Sequence, residues 1–326
     1  MRRSPLFFLG CALSLFLFIG VAPAAADNGP HVKGAGLTAD TCAACHRAHT
    51  AKAPYLLKQS QEKLCFTCHG SSGTGSNEDV EDGVGYSGSE RGGGVAGALR
   101  GGGFKYALID SGSPSGAKES RVIPALSSSE ERPATSSHSV NSSEQTAWGN
   151  GEISPSPNYG KTISLSCGSC HDPHGNGNYR ILKPIPDESG AAKPGVTIAD
   201  TSKKVYTTTN YWQVGDANAP QFRYQIAQWC STCHTRYLAG SGSYKTDSGD
   251  AVFTYRHRTD EFKPEEYDER SRRPDCIQCH VSHGSDATMG ENSSSVAFPD
   301  GSGVGSGDSR LLRVNNRGTC QLCHEK

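Results

Sequence analysis

The sequence predicts a mostly irregular chain with short helices and minimal β-structure, organised around bound groups instead of a core of side chains. Leu, Ile, Val and Phe make up 42 of the 300 residues that follow Ala26, below the roughly 20 % at which a chain is expected to be disordered. Long segments are rich in Gly and Ser, and twelve cysteines recur in closely spaced pairs. Such a chain needs another source of apolar interior, and large flat cofactors would supply it.

The first 26 residues predict a secretory signal peptide. Arg2 and Arg3 precede an apolar run from Leu6 to Val21, and small residues lead to a cleavage site after Ala26 or, alternatively, after Ala24. An uncleaved anchor helix is the less favoured interpretation, because the run is short for the ~20 residues of a membrane span. The thirteenth cysteine, Cys11, would be removed with this segment, so we expect an exported protein with no membrane span in its mature chain.

Charge excludes one large class of partners. Lys and Arg number 32 and Asp and Glu 33, so losing Arg2 and Arg3 would leave 30 against 33. The most basic stretch, residues 270–273, is interrupted by Ser271 and lies among acidic residues. We therefore expect no nucleic-acid partner.

All twelve remaining cysteines fall in C-x-x-C-H units, the attachment signal of c-type haem. The two thiols bond to the two vinyl groups of one haem, and the adjacent histidine becomes the proximal ligand of its iron. We number the haems 1 to 6 in chain order. Their motifs are Cys42/Cys45/His46, Cys65/Cys68/His69, Cys167/Cys170/His171, Cys230/Cys233/His234, Cys276/Cys279/His280 and Cys320/Cys323/His324.

Other uses of paired cysteines explain this pattern less well. Closed zinc sites join two such pairs, which gives no reason for a histidine after every second cysteine. A redox dithiol needs one motif on a βαβ scaffold. A disulfide framework is the ordinary expectation for an exported protein with an even number of cysteines, but it does not explain the histidines either. The sequence predicts six covalently bound haem c groups.

The histidine count predicts two histidine ligands for each iron. Beyond the six proximal histidines there are six more, and Met1 and Met289 are the only methionines. An iron with two histidine ligands passes electrons but offers no open position to a substrate, so we expect an electron-transfer protein and not an enzyme. The six spare histidines, all candidate distal ligands, are His31, His49, His138, His174, His257 and His283.

Three of the motifs extend to C-x-x-C-H-x-x-H and suggest a threefold repeat. Each unit has a spare histidine, an extended motif and then a plain motif. In the domain prediction, a loop at 71–130 follows the first haem pair at 27–70, and the other pairs occupy 131–240 and 241–326. Distal ligands are predicted in chain order: His31 serves haem 1, His49 haem 2, His138 haem 3, His174 haem 4, His257 haem 5 and His283 haem 6. Swaps within a unit, or donation of His31 to an adjacent subunit, would satisfy the same count.

Regular structure is expected mainly near the motifs. Helices are predicted at 54–68 and 224–234, and a small hairpin at 203–214. Trp212 and Trp229 are predicted to pack against haem. Gly/Ser-rich segments are interpreted as irregular loops; they cover 71–120, 127–143 and 285–309.

The alternation of C-x-x-C-H-x-x-H with C-x-x-C-H resembles the doubled-CxxCH multihaem cytochromes exported by metal-reducing bacteria. His171-Asp172-Pro173-His174-Gly175 is typical of them. Six bis-histidine haems on a loop-rich chain are similar to the hexahaem cytochromes that polymerise into extracellular conductive filaments, whose subunits can exchange an axial histidine. The resemblance implies extracellular or outer-surface electron transfer, with copies of the chain, other multihaem cytochromes and acceptors such as metal oxides as partners. A soluble periplasmic shuttle is the alternative, and a multihaem oxyanion reductase a more remote one.

Overall fold

A computed structural model describes eleven parts of the chain. They are residues 31, 41–88, 91–107, 132–148, 150, 160–187, 189, 205–206, 220–235, 276–287 and 310–313. The predicted signal peptide, His257, Trp212 and the sixth motif lie outside the described residues. Within them, no helix is long and apolar enough to cross a membrane.

In the part of the chain that the structure describes, five short helices each carry the first cysteine of a motif. Only α2 and α4 exceed two turns, and α2 begins after Ser60 and ends at Gly70, whose N–H donates to the Phe66 carbonyl. A capping box of Ser166 and Ser169 begins α3 and satisfies backbone donors that a single turn leaves free. The helices are α1 (Thr41–Cys45), α2 (Gln61–His69), α3 (Cys167–Cys170), α4 (Pro220–Ser231) and α5 (Cys276–Cys279).

Within the described residues, ten strands form four small antiparallel sheets. The largest has the order β1-β2-β3-β9, and the other pairs are β4-β5, β6-β10 and β7-β8. The strands are β1 (Glu78–Asp79), β2 (Val84–Tyr86), β3 (Val95–Leu99), β4 (Tyr106–Ala107), β5 (Arg132–Pro133), β6 (Ser136–Ser137), β7 (Asn141–Trp148), β8 (Gly160–Ser166), β9 (Val205–Tyr206) and β10 (Gly284–Ser285).

The longest sheet positions the third motif. β7 and β8 pair from Trp148 opposite Gly160 to Asn141 opposite Ser166, and β8 continues directly into α3. Alternate residues of this hairpin are buried, and Ala147, Ile163 and Leu165 pack together with Cys233. The hairpin therefore joins the third motif to the fourth.

The Gly-rich segment after the second motif contains β-structure where the sequence suggested irregular loop. Four short strands lie between residues 78 and 107, and Val84, Ala98 and Leu99 are buried. Glycine allows this because backbones approach closely: a Cβ on Gly83, whose φ is +68°, would lie 2.7 Å from the Gly103 nitrogen. The residues that weaken strand propensity permit packing here that larger residues would block.

The other predicted elements are partly described. The region predicted as a helix over 54–68 contains a 3₁₀ turn (Pro54–Leu56) and then α2, and α4 covers most of the helix predicted over 224–234. Of the predicted 203–214 hairpin only Val205–Tyr206 is described, and it pairs with β3. Trp229 packs against Leu182 and Ile226 and donates from Nε1 to the Lys183 carbonyl at 2.8 Å.

Candidate haem-binding site

Each described motif closes into one helical turn. The backbone N–H of the proximal histidine donates to the carbonyl of the first cysteine, an i to i−4 hydrogen bond. The N···O distances are 2.8 Å for His46, 3.0 Å for His171, 3.0 Å for His234 and 2.8 Å for His280, and the whole second motif lies within α2. Two intervening residues put both cysteines on one side of such a turn, with the imidazole next to them.

Backbone carbonyls orient the proximal rings of the three extended motifs. Nδ1 of His46 donates to the Tyr55 carbonyl at 2.9 Å, that of His171 to Arg180 at 2.9 Å and that of His280 to Arg310 at 3.0 Å. A carbonyl only accepts, so Nδ1 carries the proton and Nε2 keeps its lone pair for a metal.

The accepting carbonyls belong to a recurring turn that the sequence interpretation missed. In each turn two successive residues have positive φ, and the leucine that follows bridges back to the proximal histidine. We call the three segments clamps; they are Tyr55-Leu56-Leu57, Arg180-Ile181-Leu182 and Arg310-Leu311-Leu312.

A short sequence signal would have revealed the clamps. Each clamp ends in Leu or Ile and then Leu, and a Lys or Arg follows it directly. The backbone N–H of that basic residue donates to the carbonyl of the second cysteine of the motif, as Lys58 does to Cys45 at 3.0 Å. The accepting carbonyl lies 9 residues after the first two histidines but 30 after His280. That unequal spacing hides the repeat.

Four proximal histidines each face one spare histidine. All four ring pairs have nearly the same centroid separation, although their interplanar angles differ widely. The separations and angles are 6.1 Å and 12° for His46 with His174, 6.1 Å and 76° for His69 with His31, 6.4 Å and 62° for His171 with His283, and 6.3 Å and 50° for His234 with His138.

This separation fits one iron between two imidazoles. Metal–imidazole bonds are about 2 Å long, and a ring centre lies about 1 Å behind its nitrogen, so two axial rings should be roughly 6 Å apart. Direct stacking contacts would be closer, as between Phe104 and His283 at 4.5 Å. The donor set of two cysteines, a proximal and a distal histidine therefore fits haem c at four described positions.

The ring pairs differ from the distal pairing predicted in chain order: His31 and His138 make the within-unit swaps that the count also allowed, whereas His174 and His283 pair with another unit. His31 lies beside His69, not His46; His138 beside His234, not His171; His174 beside His46, not His234. His283, predicted for haem 6, lies beside His171. The second histidine of an extended motif cannot reach the far face of its own haem. The structure places it against the extended motif of the preceding unit instead.

Burial favours the neutral form of several imidazoles. It is the largest cause that lowers the pKa of His69, His138 and His171, and burial together with the neighbouring charges of His171 and Arg180 lowers the pKa of His283 to about 3. A neutral imidazole is the form that binds a metal.

The spare histidines are themselves held in a repeating way. His31 donates from Nδ1 to the Pro173 carbonyl at 2.9 Å, and His138 donates to Ser282 at 2.7 Å. Pro173 and Ser282 immediately precede His174 and His283. The distal ligand of each plain motif is thus fixed to the backbone next to the distal ligand of the extended motif.

The cysteines are unbridged and lie next to one another in chain order. All ten described cysteines are free. Burial raises the pKa of the Cys45 thiol, and Cys65 and Cys68 lie close enough to raise it further. The thiols of Cys65 and Cys167 are hydrogen-bonded to each other. Burial, and then Cys233, raises the pKa of Cys170 to about 12. Attachment points 1 to 4 are therefore sequential neighbours.

The fifth attachment point lies next to the fourth. Ile277 of α5 packs against the same cluster, around Leu182 and Ile226, as Trp229 and Cys230 of α4. In the part of the chain that the structure describes, no three or more of His, Cys, Asp and Glu cluster as a metal ion would require, so the motifs do not combine into zinc sites there.

The remaining predicted ligands are not brought together in the described residues. Cys320, Cys323, His324 and His257 lie outside them. His49 is exposed, and no described histidine ring pairs with it or with His280.

A comparison with protein families matches residues 35–74 to the doubled CXXCH motif. No curated protein and no solved structure matches the chain. The family match covers the first two motifs. The third and fourth motifs have the same spacing and the same pairing of a proximal with a spare histidine ring. Together they support a multihaem c-type cytochrome that transfers electrons.

Proposed function

We propose that this chain is a hexahaem c-type cytochrome that conducts electrons along bis-histidine haems and assembles with copies of itself at or beyond the cell surface. The observation that carries the proposal is the set of four proximal and distal ring pairs at 6.1 to 6.4 Å. Bound haem would supply iron that alternates between the ferric and ferrous states. In the assembly, two histidines would hold each iron and would leave no position open to a substrate.

Two rules describe the four pairs. The spare histidine that begins a unit faces the proximal histidine of the plain motif in the same unit, as His31 faces His69 and His138 faces His234. The second histidine of an extended motif faces the extended motif of the preceding unit. By the first rule, His257 would ligate haem 6 together with His324.

The second rule leaves one ligand and one iron unmatched among the three units. It pairs neither His49 of the first unit nor haem 5, which His280 of the third unit would hold, and no described histidine ring lies opposite either residue. We therefore infer that His49 of one copy ligates haem 5 of the next. A contact of this kind joins different surfaces head to tail, and it produces an open filament when the rotation does not close.

The surroundings of His49 support a docking end. Within the first clamp Tyr55 is 85 % exposed and Leu56 54 % exposed. At the equivalent position of the second clamp, Arg180 and Ile181 are half-buried, and the neighbouring Leu182 packs against α4 and α5. A neighbouring copy that covers Tyr55 and Leu56 would bury apolar surface worth roughly 25 cal/mol per Å².

The alternative is a soluble periplasmic shuttle. It requires all six irons to be ligated within one chain, with His49 engaged internally or replaced by another ligand. An oxyanion reductase would need an iron with an open position in the working state.

Carbon monoxide binding to the reduced holoprotein distinguishes these functions. The filament model predicts that monomers bind one carbon monoxide per six haems, at haem 5, and that polymers bind none. His49→Ala should stop polymerisation seen by electron microscopy and leave that one site open. His174→Ala is the matched control, because it should open haem 1 in either state and leave assembly intact. A wild-type monomer that binds no carbon monoxide, or filaments from the His49→Ala variant, would contradict the model.

Mass spectrometry tests the haem count independently. The intact secreted protein should carry six haems, and a Cys167→Ser/Cys170→Ser variant should carry five. A mass that is unchanged by the double substitution would refute attachment at the third motif.

A further inference from the structure

His283 differs from the other described ligands in its second ring nitrogen. Its Nδ1 is buried without a hydrogen-bond partner in the part of the chain that the structure describes. The Gly102 backbone lies close enough to raise the pKa of the ring as a hydrogen-bond acceptor would, but Nδ1 and its neighbours do not meet the distance and angle of a hydrogen bond. Phe104 stacks on the ring at 4.5 Å. Six other histidines have a carbonyl as a hydrogen-bond partner of Nδ1; they are His31, His46, His69, His138, His171 and His280.

The missing hydrogen bond affects the iron that this ring would ligate. An N–H that donates to an acceptor makes the imidazole a stronger base and a better donor to the metal. A stronger donor stabilises the ferric state and lowers the reduction potential, and hydrogen bonding and burial are among the factors that set it. His283 lacks that support, so it favours the ferrous state of haem 3.

Arg180 acts in the same direction. Its carbonyl accepts from Nδ1 of His171 at 2.9 Å, and its positive charge acts on both His171 and His283. A cation beside the site disfavours the extra positive charge of ferric iron. The carbonyl bond of His171 matches the one that His46 makes at haem 1, so the charge of Arg180 and the second ligand, His283, are what favour reduction at haem 3.

Haem 1 has the opposite surroundings. Its distal ligand His174 has a side chain that is 64 % exposed, and Nδ1 lies 3.6 Å from Oδ1 of Asp172. The same carboxylate oxygen accepts the backbone N–H of His174 at 3.0 Å. A carboxylate beside the imidazole and access to water both stabilise the ferric state.

We propose that Arg180 and the unbonded Nδ1 of His283 raise the reduction potential of haem 3, and that Asp172 lowers that of haem 1, so that haem 3 is reduced before haem 1. This ordering rests on the ligand pairs of the proposed function. Because attachment points 1, 2 and 3 are sequential neighbours, electrons that enter at haem 1 then move toward haem 3 with a favourable free energy.

Spectroelectrochemical titration of the holoprotein and its variants tests the ordering. Asp172→Asn should raise one midpoint, and Arg180→Gln should lower a different one that lies higher in the wild type. A tenfold change in the ferric-to-ferrous ratio at fixed potential would appear as a shift of about 59 mV for a one-electron couple. Glu144→Gln, which removes an exposed carboxylate of β7, is the control and should move neither midpoint.

Arg180→Lys keeps the positive charge but removes the guanidinium group, so it distinguishes an effect of charge from an effect of packing. It should leave the higher midpoint close to the wild-type value. The proposal is overturned if the midpoint that responds to Asp172→Asn lies above the one that responds to Arg180→Gln, or if Arg180→Lys shifts the midpoint as far as Arg180→Gln does. An optical spectrum that is not low-spin would instead show that the ligand pairs themselves are wrong.

Discussion

Arg91→Ala should strongly destabilise the segment that encloses the second motif. The guanidinium donates to four carbonyls and to one carboxylate, so a single side chain holds the loop between α2 and β1. The acceptors are the carbonyls of Cys68 at 3.3 Å, Gly70 at 2.7 Å, Ser71 at 3.1 Å and Ser76 at 3.1 Å, and Oδ2 of Asp79 at 3.3 Å. Ser76 and Glu78 in turn contact Nδ1 of His69, so the loop also orients the haem 2 ligand.

The cost of this substitution follows from the burial of the ion pair. The side chain of Asp79 is fully buried and that of Arg91 is 14 % exposed. Removing one partner of a buried pair costs about 3 to 5 kcal/mol. The backbone N–H groups of Glu81 and Asp82 still donate to Asp79, so we expect the lower end, about 3 kcal/mol.

Urea unfolding of the holoprotein, followed by circular dichroism, measures this loss. A slope of about 1 to 3 kcal/mol per molar urea converts 3 kcal/mol into a midpoint that is roughly 1 to 3 M lower. Removing the carboxylate as well should recover part of the loss, so Asp79→Asn/Arg91→Ala should be less destabilised than the sum of the single variants by about 0.5 to 3 kcal/mol. An unchanged midpoint, or strictly additive variants, would refute this account of the pair.

The pH dependence of stability provides a separate test of Asp79. Burial raises the pKa of this carboxyl in the folded protein, more than Arg91 and the backbone donors lower it. The folded state therefore holds the proton more tightly, so this group's contribution to stability is complete below its unfolded pKa of about 3.9 and is lost as pH rises through the folded pKa. Wild type should lose stability relative to Asp79→Asn across that interval, and parallel curves for the two proteins would contradict the shift.

Two further predictions concern the core and the ligand planes. Leu182→Ala should cost about 2 to 4 kcal/mol in unfolding free energy, because Leu182 is 8 % exposed and packs in one cluster with Ile226, Trp229 and Ile277; a urea midpoint equal to that of the wild type would count against this packing. Electron paramagnetic resonance of the ferric protein should contain both a rhombic low-spin signal from haem 1, whose rings are nearly parallel at 12°, and a highly anisotropic signal from haem 2, whose rings cross at 76°. A single signal type would contradict those ring orientations.

Local chemistry made the haem-binding motifs predictable from the sequence. Thioether attachment needs two thiols and a histidine within one helical turn, so the spacing C-x-x-C-H itself specifies the geometry, and all five described motifs adopt that turn. No local spacing specifies which histidine becomes the distal ligand. Whether His174 meets haem 1 or haem 4 depends on how units pack, and the chain-order pairing failed for that reason.

The clamps and the short strands were missed for different physical reasons. A clamp is defined by its backbone, with positive φ at Arg180 and Ile181, and neither residue type favours that conformation by itself. Only the pattern of Leu or Ile, Leu, and a basic residue repeats. The strands near Val84 depend on close backbone approach at Gly83 and Gly103, whereas propensity alone assigns glycine to loops.

The small apolar clusters explain why folding and haem binding should be inseparable in this chain. Leu182 and Ile226 pack with Cys230 and Ile277, and Ile163 and Leu165 pack with Cys233. Each cluster therefore includes an attachment cysteine, and a haem bonded there would extend the cluster by a surface larger than any of its side chains. The same residues that enclose the irons hold neighbouring motifs together. A substitution that weakens a cluster should consequently lower both stability and haem retention, whereas one at Asp172 or Arg180 should change the potential and leave the fold intact.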